Sequence, residues 1–388
     1  MEIAPQLHQD QKDLPKTSGV YLFLDAREYP LYIGKSVNLR TRVASYLRND
    51  TAQEERIQRM VHEARSLRYV ETETELMALL LEDSLIKKYL PVYNIRQKQF
   101  RDYRYLQLSD DAYPRLITLE DPEHMQTNIY GPFRDRFFIQ RLQEIFSRYL
   151  GFRSCAEANP EKSCIELDLG QCLGPCVLPE VHEAYSIVSD QVAQFMEGED
   201  PGVISKIEER IRDCIQETRF EQAHRLRDDL IFCDSFFNRQ RFNHRFRVEH
   251  LKIEGRREGI PGYLFENGAL KEVILRDGRL CKVGEQLDLF DLSVVKEDEP
   301  RFLLDRANLV YNWLKKNQGA VKYEFQELGT SFRLGQNKSS IPPNDPSMLM
   351  GTNFANESKI TTAFKLASSS VAALSRLVIL ILIASISL

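Results

Sequence analysis

Near the start of the chain, two short apolar runs lie on either side of a polar segment. The runs VYLFL and LYI, within residues 19–33, are dominated by aromatic, β-branched and leucine residues, and the polar loop DAREYP separates them. This pattern predicts two strands joined by a loop. In a symmetric antiparallel register Tyr21 lies almost opposite Tyr32, and such cross-strand partners approach to about 5 Å between Cβ atoms. We therefore expect the two phenols to converge on one point.

Helical periodicity follows the two strands. In the segment VNLRTRVASYL, apolar residues recur at i, i+4, i+7 and i+8, which predicts an amphipathic helix. A second helix is predicted over residues 75–90, and Pro91 ends it. Together these elements predict a compact α+β unit over residues 15–100.

The rest of the chain alternates between strand and helix patterns. Alternation over residues 103–120 predicts strands, and helical periodicity over 203–237, broken near 217–219, predicts two helices in an αα-hairpin. The segment GYLFENGALKEVIL carries an Asn-Gly turn between strand-forming residues and predicts a β-hairpin. A final helix is predicted over residues 301–316.

The predicted fold class is α+β, in several pieces. The predicted organisation is an N-terminal tail over 1–14, a small mixed α and β domain over 15–100, a cysteine-rich region over 101–198, a helical hairpin over 199–240, a small α+β region over 241–330 and a disordered tail over 331–388.

Composition and charge restrict the possible functions. Apolar residues make up 43% of the chain and charged residues 28%, and the net charge is −5, so the protein is not a cationic wrapper of nucleic acid. The first residues, MEIAPQLHQD, have no pattern of a signal peptide, and we expect a reducing cytoplasm. The apolar end over 377–388 is shorter than the roughly 20 residues of a spanning helix, so we expect a disordered or aberrant extension, with a membrane anchor as the alternative.

One group of candidate chemical residues lies in the first α+β unit. Arg42 and Tyr46 are four residues apart on the first predicted helix and share a face. Glu82 lies on a largely apolar side of the second helix, where a carboxylate needs a compensating partner. A divalent cation is one such partner, and an arginine or lysine is the other.

A second group consists of four cysteines within 22 residues: Cys155, Cys164, Cys172 and Cys176. Only the last gap, with three intervening residues, resembles common zinc spacing. From spacing alone the cysteines are either metal ligands or buried free thiols. Further along, NRQRFNHRFR over 238–247 interleaves arginines with phenylalanines, which suits a nucleic-acid contact or a solvated linker.

Several ordered motifs together resemble a known family. GVY at 19–21, YIG at 32–34, the following KSVNLRTRVASYL, LLLE at 79–82 and PVYN at 91–94 resemble the GIY-YIG nuclease domain of the UvrC family of ABC excinuclease proteins. The portion PLYIGKSVNLRTRV is similar to the short relative, the Cho endonuclease.

The resemblance implies a role for each motif position. It implies that Tyr21 helps to deprotonate an attacking water and that Glu82 holds a single Mg²⁺ or Mn²⁺. It implies that Arg42 stabilises the negative charge that develops at phosphorus. The other implied catalytic positions, which orient the water or the scissile phosphate, are Tyr32, Lys35, Tyr46 and Asn94.

The resemblance continues beyond this domain. The cysteine segment is similar to the region of the UvrC family that binds a [4Fe–4S] cluster, so Cys155, Cys164, Cys172 and Cys176 are expected to hold that cluster, with zinc as the alternative. RFEQAHRLRDDL at 219–230 resembles the UVR motif, which contacts the UvrB protein; a plain surface helix pair is the alternative. The expected partner-binding residues are Arg219, Phe220, Glu221, Ala223, Leu226, Arg227 and Asp228. The expected DNA-binding residues are Arg40, Arg239, Arg241 and Arg245.

The function that the resemblance implies is metal-dependent incision on the 3′ side of a lesion in double-stranded DNA, with recruitment by UvrB. FRVEHLKIEGRREGIPGYLFENGALKEVILRDGRL faintly resembles the opening of the family's second nuclease domain, but too few residues follow for that domain. Two alternatives stay open: a non-cutting adapter that binds UvrB and DNA, and a GIY-YIG nuclease outside repair.

Overall fold

The structure is a computed structural model. It describes residues 3–48, 54–94, 103–120, 128–133, 136–156, 162–283 and 300–326. One compact unit spans Met1–Leu334. The tail predicted over 331–388 lies outside the described residues.

The first region mixes helices and strands, as predicted. Its elements are α1 (Pro5–Asp13), β1 (Gly19–Leu24), β2 (Pro30–Ser36), α2 (Leu39–Leu47), α3 (Glu55–Glu63), β3 (Ser66–Glu71) and α4 (Glu75–Tyr89). Asn38 and Thr74 cap the N-termini of α2 and α4, because their side-chain oxygens accept from the backbone N–H groups of Thr41 and Met77. Leu90, with φ 47°, ends α4 just before Pro91.

The three strands form an antiparallel sheet in the order β2-β1-β3. Tyr21 pairs with Gly34, and Phe23 pairs with Tyr32. The predicted pairing of Tyr21 with Tyr32 is therefore wrong by two residues, and an irregularity between Phe23 and Leu24 accounts for one of them. Because strand side chains alternate with a period of two, Tyr32 still shares a face with Tyr21.

The region predicted as an N-terminal tail contains a packed helix. Leu7 of α1 and Leu14 just after it are fully buried. They belong to one hydrophobic cluster with Tyr21, Phe23 and residues of α2 and α3. The sequence pattern missed α1, because only one of its side chains faces the core.

The middle of the chain contains a second sheet and a group of helices. Its elements are β4 (Arg104–Leu108), β5 (Leu116–Leu119), β6 (Ile129–Phe133), α5 (Arg136–Leu150), α6 (Ile165–Asp168), a 3₁₀ turn (Pro179–Val181), α7 (His182–Glu197), α8 (Gly202–Gln216) and α9 (Phe220–Val248). The sheet has the order β5-β4-β6. The predicted hairpin is α8 and α9, but it packs against α5 and α7 and forms no separate body.

The described C-terminal region is built on an antiparallel sheet in the order β10-β9-β8-β7-β11. Its elements are β7 (His250–Gly255), β8 (Gly262–Glu266), β9 (Ala269–Ile274), β10 (Leu280–Lys282), α10 (Pro300–Asn317) and β11 (Val321–Gln326). Asn267 and Gly268 both have positive φ and form the predicted turn between β8 and β9. Helix α10 packs against α9 and against α4 of the first region. Among the described helices, none combines the length and apolar character that a bilayer crossing requires.

Candidate active site

Three tyrosine hydroxyls meet at one point beside the first sheet. The hydroxyl of Tyr46, on α2, lies 2.9 Å from that of Tyr21 and 3.4 Å from that of Tyr32. The predicted convergence of the two strand phenols therefore occurs through Tyr46. Tyr21 is 1% exposed and Tyr46 is 7% exposed, whereas Tyr32 is only partly buried. Tyr32 is thus the member of the cluster that is most open to solvent.

Burial sets the ionisation of this cluster. Burial, followed by the neighbouring Tyr46 and Tyr32, raises the pKa of Tyr21 far above its ordinary value. Burial and then Tyr46 raise the pKa of Tyr32, and the charge of Glu82 adds to the increase. Both phenols are therefore neutral at physiological pH. The role that the resemblance implies for Tyr21, helping to deprotonate the attacking water, stays a prediction.

Arg42 supplies positive charge at the edge of the cluster. Its guanidinium lies 4.9 Å from the centre of the Tyr46 ring, on the exposed side of α2. Burial acts to lower the pKa of Arg42, but its interactions with the hydroxyl of Tyr21 outweigh that effect, and the net pKa is raised. The Arg42 guanidinium is therefore held beside the three hydroxyls and remains open to solvent.

Glu82 faces the same cluster from α4. Its Oε1 accepts a hydrogen bond from the backbone N–H of Lys35, at 3.1 Å. The side chain is half-buried, and its charge acts on Tyr32. In the described residues no three His, Cys, Asp or Glu side chains are grouped so as to hold one metal ion. A single carboxylate with solvent around it still suits Mg²⁺, which keeps several of its waters.

Two residues expected to orient water or phosphate make other contacts. The Nζ atom of Lys35 lies 3.1 Å from Glu75, so its charge is directed to the first turn of α4. The side chain of Asn94 is buried and binds the backbone of Ile33 with both amide atoms, at 2.9 Å and 2.7 Å. The Asn94 side chain therefore hydrogen-bonds to β2 as the backbone of a neighbouring strand would. Both its amide oxygen and its amide nitrogen are engaged in these contacts, which hold β2 in place.

The four cysteines all lie between the end of α5 and the start of α7. Cys172 is buried, and the other three are partly buried. Burial raises the pKa of the Cys172 thiol, and Cys155, Cys164 and Cys176 each add to the increase. Among the described residues no three of these thiols are grouped so as to hold one metal ion. The choice between an iron–sulfur cluster and zinc stays a prediction.

The predicted partner-binding residues divide into two sets. Ala223 and Leu226 are buried in the packing of α9, so they hold the helices together and are not available to a partner. Arg219 binds Gln222 and Glu217 within its own turn. The exposed members are Arg219, Phe220, Glu221 and Asp228, while Arg227 is partly buried.

The predicted DNA-binding arginines are also placed unequally. The Nε atom of Arg40 donates to the carbonyl of Leu14 at 2.6 Å, which ties α2 to the end of α1. Arg245 forms two hydrogen bonds of 2.7 Å with Glu249. Arg239 and Arg241 are exposed. The segment predicted as a possible linker is the last part of α9, which continues past the predicted end at residue 237 to Val248.

Sequence reasoning missed two features that shape the site. Gly34 lies so close to the Tyr21 ring that a Cβ there would be 2.3 Å from the Tyr21 hydroxyl. Asp83, next to Glu82, and Lys87 are buried charges on α4. Gly34 is part of the YIG motif in the sequence, but only the strand register shows that it lies against the Tyr21 ring.

Comparisons with known proteins identify the domains. The model of the UvrC-like GIY-YIG domain matches residues 17–95, and that of the UvrC/Cho excinuclease middle domain matches residues 103–195. The UvrABC system protein C of Methanothermobacter thermautotrophicus is 29% identical over 272 residues, which cover 70% of this chain and 45% of that protein. The chain thus spans less than half the length of this curated relative.

The chain is also similar to solved structures of a single endonuclease domain. The GIY-YIG N-terminal endonuclease domain of UvrC from Thermotoga maritima, bound to its catalytic divalent cation magnesium, is 36% identical. The match covers 24% of this chain and 100% of that one, with a TM-score of 0.22. A point mutant of the same domain, also bound to its catalytic divalent cation, is 35% identical with the same TM-score and covers 25% of this chain and 100% of its own.

Residues 17–95 are thus a GIY-YIG nuclease-type domain, followed by the middle domain of an excinuclease. Residues 17–95 and 103–195 are similar to two successive domains of UvrC-type proteins.

Proposed function

We propose that the chain is a metal-dependent DNA endonuclease of nucleotide excision repair. The observation that carries the proposal is the group of three tyrosine hydroxyls with Arg42 on one side and Glu82 on the other. Hydrolysis of a phosphodiester needs an oriented water, positive charge at the phosphate and help for the leaving oxygen. The domain's similarity to the cation-bound endonuclease domain of Thermotoga maritima UvrC supports this reaction class.

In the proposed mechanism Glu82 would hold a Mg²⁺ or Mn²⁺, which would supply positive charge to polarise the phosphate and stabilise the leaving oxygen. The solvent-facing guanidinium of Arg42 stabilises the negative charge on the phosphate oxygens. Tyr32 reaches solvent and orients the attacking water as a neutral phenol. Tyr21, which is buried, contacts the hydroxyl of Tyr46 and the side chain of Arg42, and we assign it a positioning role.

We further propose that the four cysteines hold a [4Fe–4S] cluster. Such a cluster spreads its four thiolates around a cube of iron and sulfide, so it needs a wider arrangement than a single zinc ion does. The thiols of Cys155, Cys164 and Cys176 each raise the pKa of Cys172, so they lie near it, which supports a common site. Iron and sulfide analysis of anaerobically purified protein, with a broad visible absorption band, tests this proposal. A colourless protein that contains stoichiometric zinc would contradict it.

Recruitment by UvrB is proposed to use the exposed first turns of α9. Phe220 is 49% exposed at the start of this helix, next to the exposed Glu221. An exposed aromatic ring beside charged residues is a common anchor of protein interfaces. We expect Phe220→Ala to weaken binding to UvrB in a calorimetric titration. The control is Phe137→Ala, which removes an exposed phenylalanine on α5. If both variants bind UvrB with the same affinity, the proposal is contradicted.

An incision assay distinguishes the proposed endonuclease from the two alternatives, a non-cutting adapter and a nuclease outside repair. Purified protein is incubated with UvrB, ATP, Mg²⁺ and a lesion-bearing duplex that is labelled at one end of the damaged strand, alongside Glu82→Ala. We expect one cut on the 3′ side of the lesion, and none with the variant. An intact strand with the wild type would favour the non-cutting adapter. Cutting of undamaged duplex without UvrB would favour a nuclease outside repair.

A further inference from the structure

Helix α4 is bound on two sides. Glu82 faces the tyrosine cluster, whereas its neighbour Asp83 and the nearby Lys87 are buried. The Nζ atom of Lys87 lies 2.7 Å from Asp83 and 3.2 Å from Asp305, which belongs to α10. The helix that carries Glu82 is therefore joined to the C-terminal region by a buried ion pair.

The buried pair belongs to a larger polar group. The hydroxyl of Tyr103, just before β4, donates to Asp305 at 2.5 Å. The next residue on α10, Arg306, is also buried and donates to the carbonyl of Gly268 at 3.1 Å. Three separate parts of the chain therefore meet at Asp305: the nuclease domain, the start of the middle domain and the C-terminal region.

A second contact links the opposite ends of the same two helices. Glu75, in the first turn of α4, lies 3.1 Å from Lys35 and 3.4 Å from Lys316 near the end of α10. Since Asp305 meets the later part of α4 and Lys316 meets its start, α10 runs antiparallel along α4. The phenol of Tyr263, on β8, also interacts with Thr74, which caps α4.

A buried ion pair of this kind contributes more to the relative position of the two helices than to the free energy of unfolding. Taking a carboxylate and an ammonium out of water costs several kcal/mol per ion, and their attraction offsets that cost only in good geometry. A pair of apolar residues would join two helices without this cost. Because these hydrogen bonds and ion pairs are directional, they fix the position of α10 along α4. Glu82 is the sequence neighbour of Asp83, which belongs to this polar group.

We propose that α10 is a positioning element of the nuclease site, with Asp305 acting through Lys87 to fix where Glu82 lies. This inference rests on the proposed role of Glu82 as the metal ligand. The carboxylate of Glu82 is also held by the Lys35 N–H at 3.1 Å, on β2, so a shift of α4 against the sheet changes the metal site directly. Misplacement of a catalytic group by about 1 Å can cost about a hundredfold in rate.

The test compares two buried aspartates in the full chain. Asp305→Asn removes one of the two carboxylates that face Lys87, the one that belongs to α10. The matched control is Asp229→Asn: Asp229 is comparably buried, lies on α9 and accepts a hydrogen bond from the hydroxyl of Tyr149 at 2.9 Å. Mn²⁺ affinity is measured by calorimetry, which does not depend on cutting, and the melting temperature is recorded for each variant.

We expect Asp305→Asn to weaken Mn²⁺ binding by about tenfold or more, as the loss of outer-shell support does at other metal sites. The control should lower the melting temperature without changing Mn²⁺ affinity. A milder pair, Tyr103→Phe and Tyr149→Phe, repeats the comparison with a smaller change in case Asp305→Asn does not fold. Wild-type Mn²⁺ affinity in Tyr103→Phe and in folded Asp305→Asn would overturn the inference.

The assay also separates this inference from the proposed function. If Glu82→Ala binds Mn²⁺ as the wild type does, the metal-ligand role of Glu82 is wrong and the inference fails with it. If Glu82→Ala loses Mn²⁺ while Asp305→Asn keeps it, the proposed function stands and only the positioning role of α10 is overturned.

Discussion

The phenol ring of Tyr21 lies directly over Gly34, its partner across the first pair of strands. A Cβ at position 34 would be 2.3 Å from the Tyr21 hydroxyl and 2.5 Å from the ring carbon that bears it. The absence of a side chain at Gly34 therefore permits the position from which Tyr21 reaches Tyr46.

Substitution of this glycine should disturb the hydroxyl cluster. We expect Gly34→Ala to force the Tyr21 ring away, to destabilise the fold by about 1–3 kcal/mol as overpacking does, and to abolish cutting. Chemical denaturation and the incision assay measure the two effects. Gly319→Ala is the control, because its added Cβ meets no atom within 4 Å. Normal activity in Gly34→Ala would contradict the proposed geometry.

The hydroxyl of Tyr46 connects the other two phenols, so its removal should affect chemistry more than binding. We expect Tyr46→Phe to lower kcat by about a hundredfold or more, within the range of groups that assist proton transfer or orient a reactant. Mn²⁺ affinity should stay close to that of the wild type. Tyr69→Phe, on β3 and 42% exposed, should cut normally. A large loss of Mn²⁺ affinity in Tyr46→Phe would show that this hydroxyl supports the metal instead.

Asn94 should act on stability, since its amide binds the backbone of β2. We expect Asn94→Ala to lower the free energy of unfolding by about 1–3 kcal/mol, the cost of leaving buried polar groups unsatisfied. Urea denaturation measures this, with the exposed Asn312→Ala on α10 as the control. A variant that keeps wild-type stability but loses activity would support the role at the phosphate that the sequence resemblance implies.

The raised pKa of Tyr21 predicts a loss of stability at alkaline pH. The folded state holds this phenol neutral, and its ordinary pKa in the unfolded chain is 10.0. The contribution is thus fully present below about pH 10 and is lost as the pH rises further, because only the unfolded chain then releases the proton. The free energy of unfolding should fall less steeply above pH 10 in Tyr21→Phe than in the wild type. Equal slopes would contradict the inferred burial of the phenol.

Much of the first domain could be predicted from the sequence. Local pattern identified β1, β2, α2 and α4, because each carries its own periodicity or a stop such as Pro91. The register could not be predicted, since it depends on an irregularity near Leu24. The contacts of Asn94 and Lys35 could not be predicted either, because they depend on where the chain returns in three dimensions. The link between Lys87 and Asp305 joins residues more than 200 positions apart, and no local pattern carries it.

The central claim is that Glu82 supports a divalent cation for phosphodiester hydrolysis. The most direct measurement is the initial rate of incision as a function of Mg²⁺ concentration for the wild type, for Glu82→Gln and for Glu55→Gln. The last variant is the control, because Glu55 lies on α3 with its side chain 77% exposed. We expect saturable, chelator-sensitive cutting by the wild type and the control, and none by Glu82→Gln at any Mg²⁺ concentration. Cutting by Glu82→Gln with the Mg²⁺ dependence of the wild type would contradict the claim.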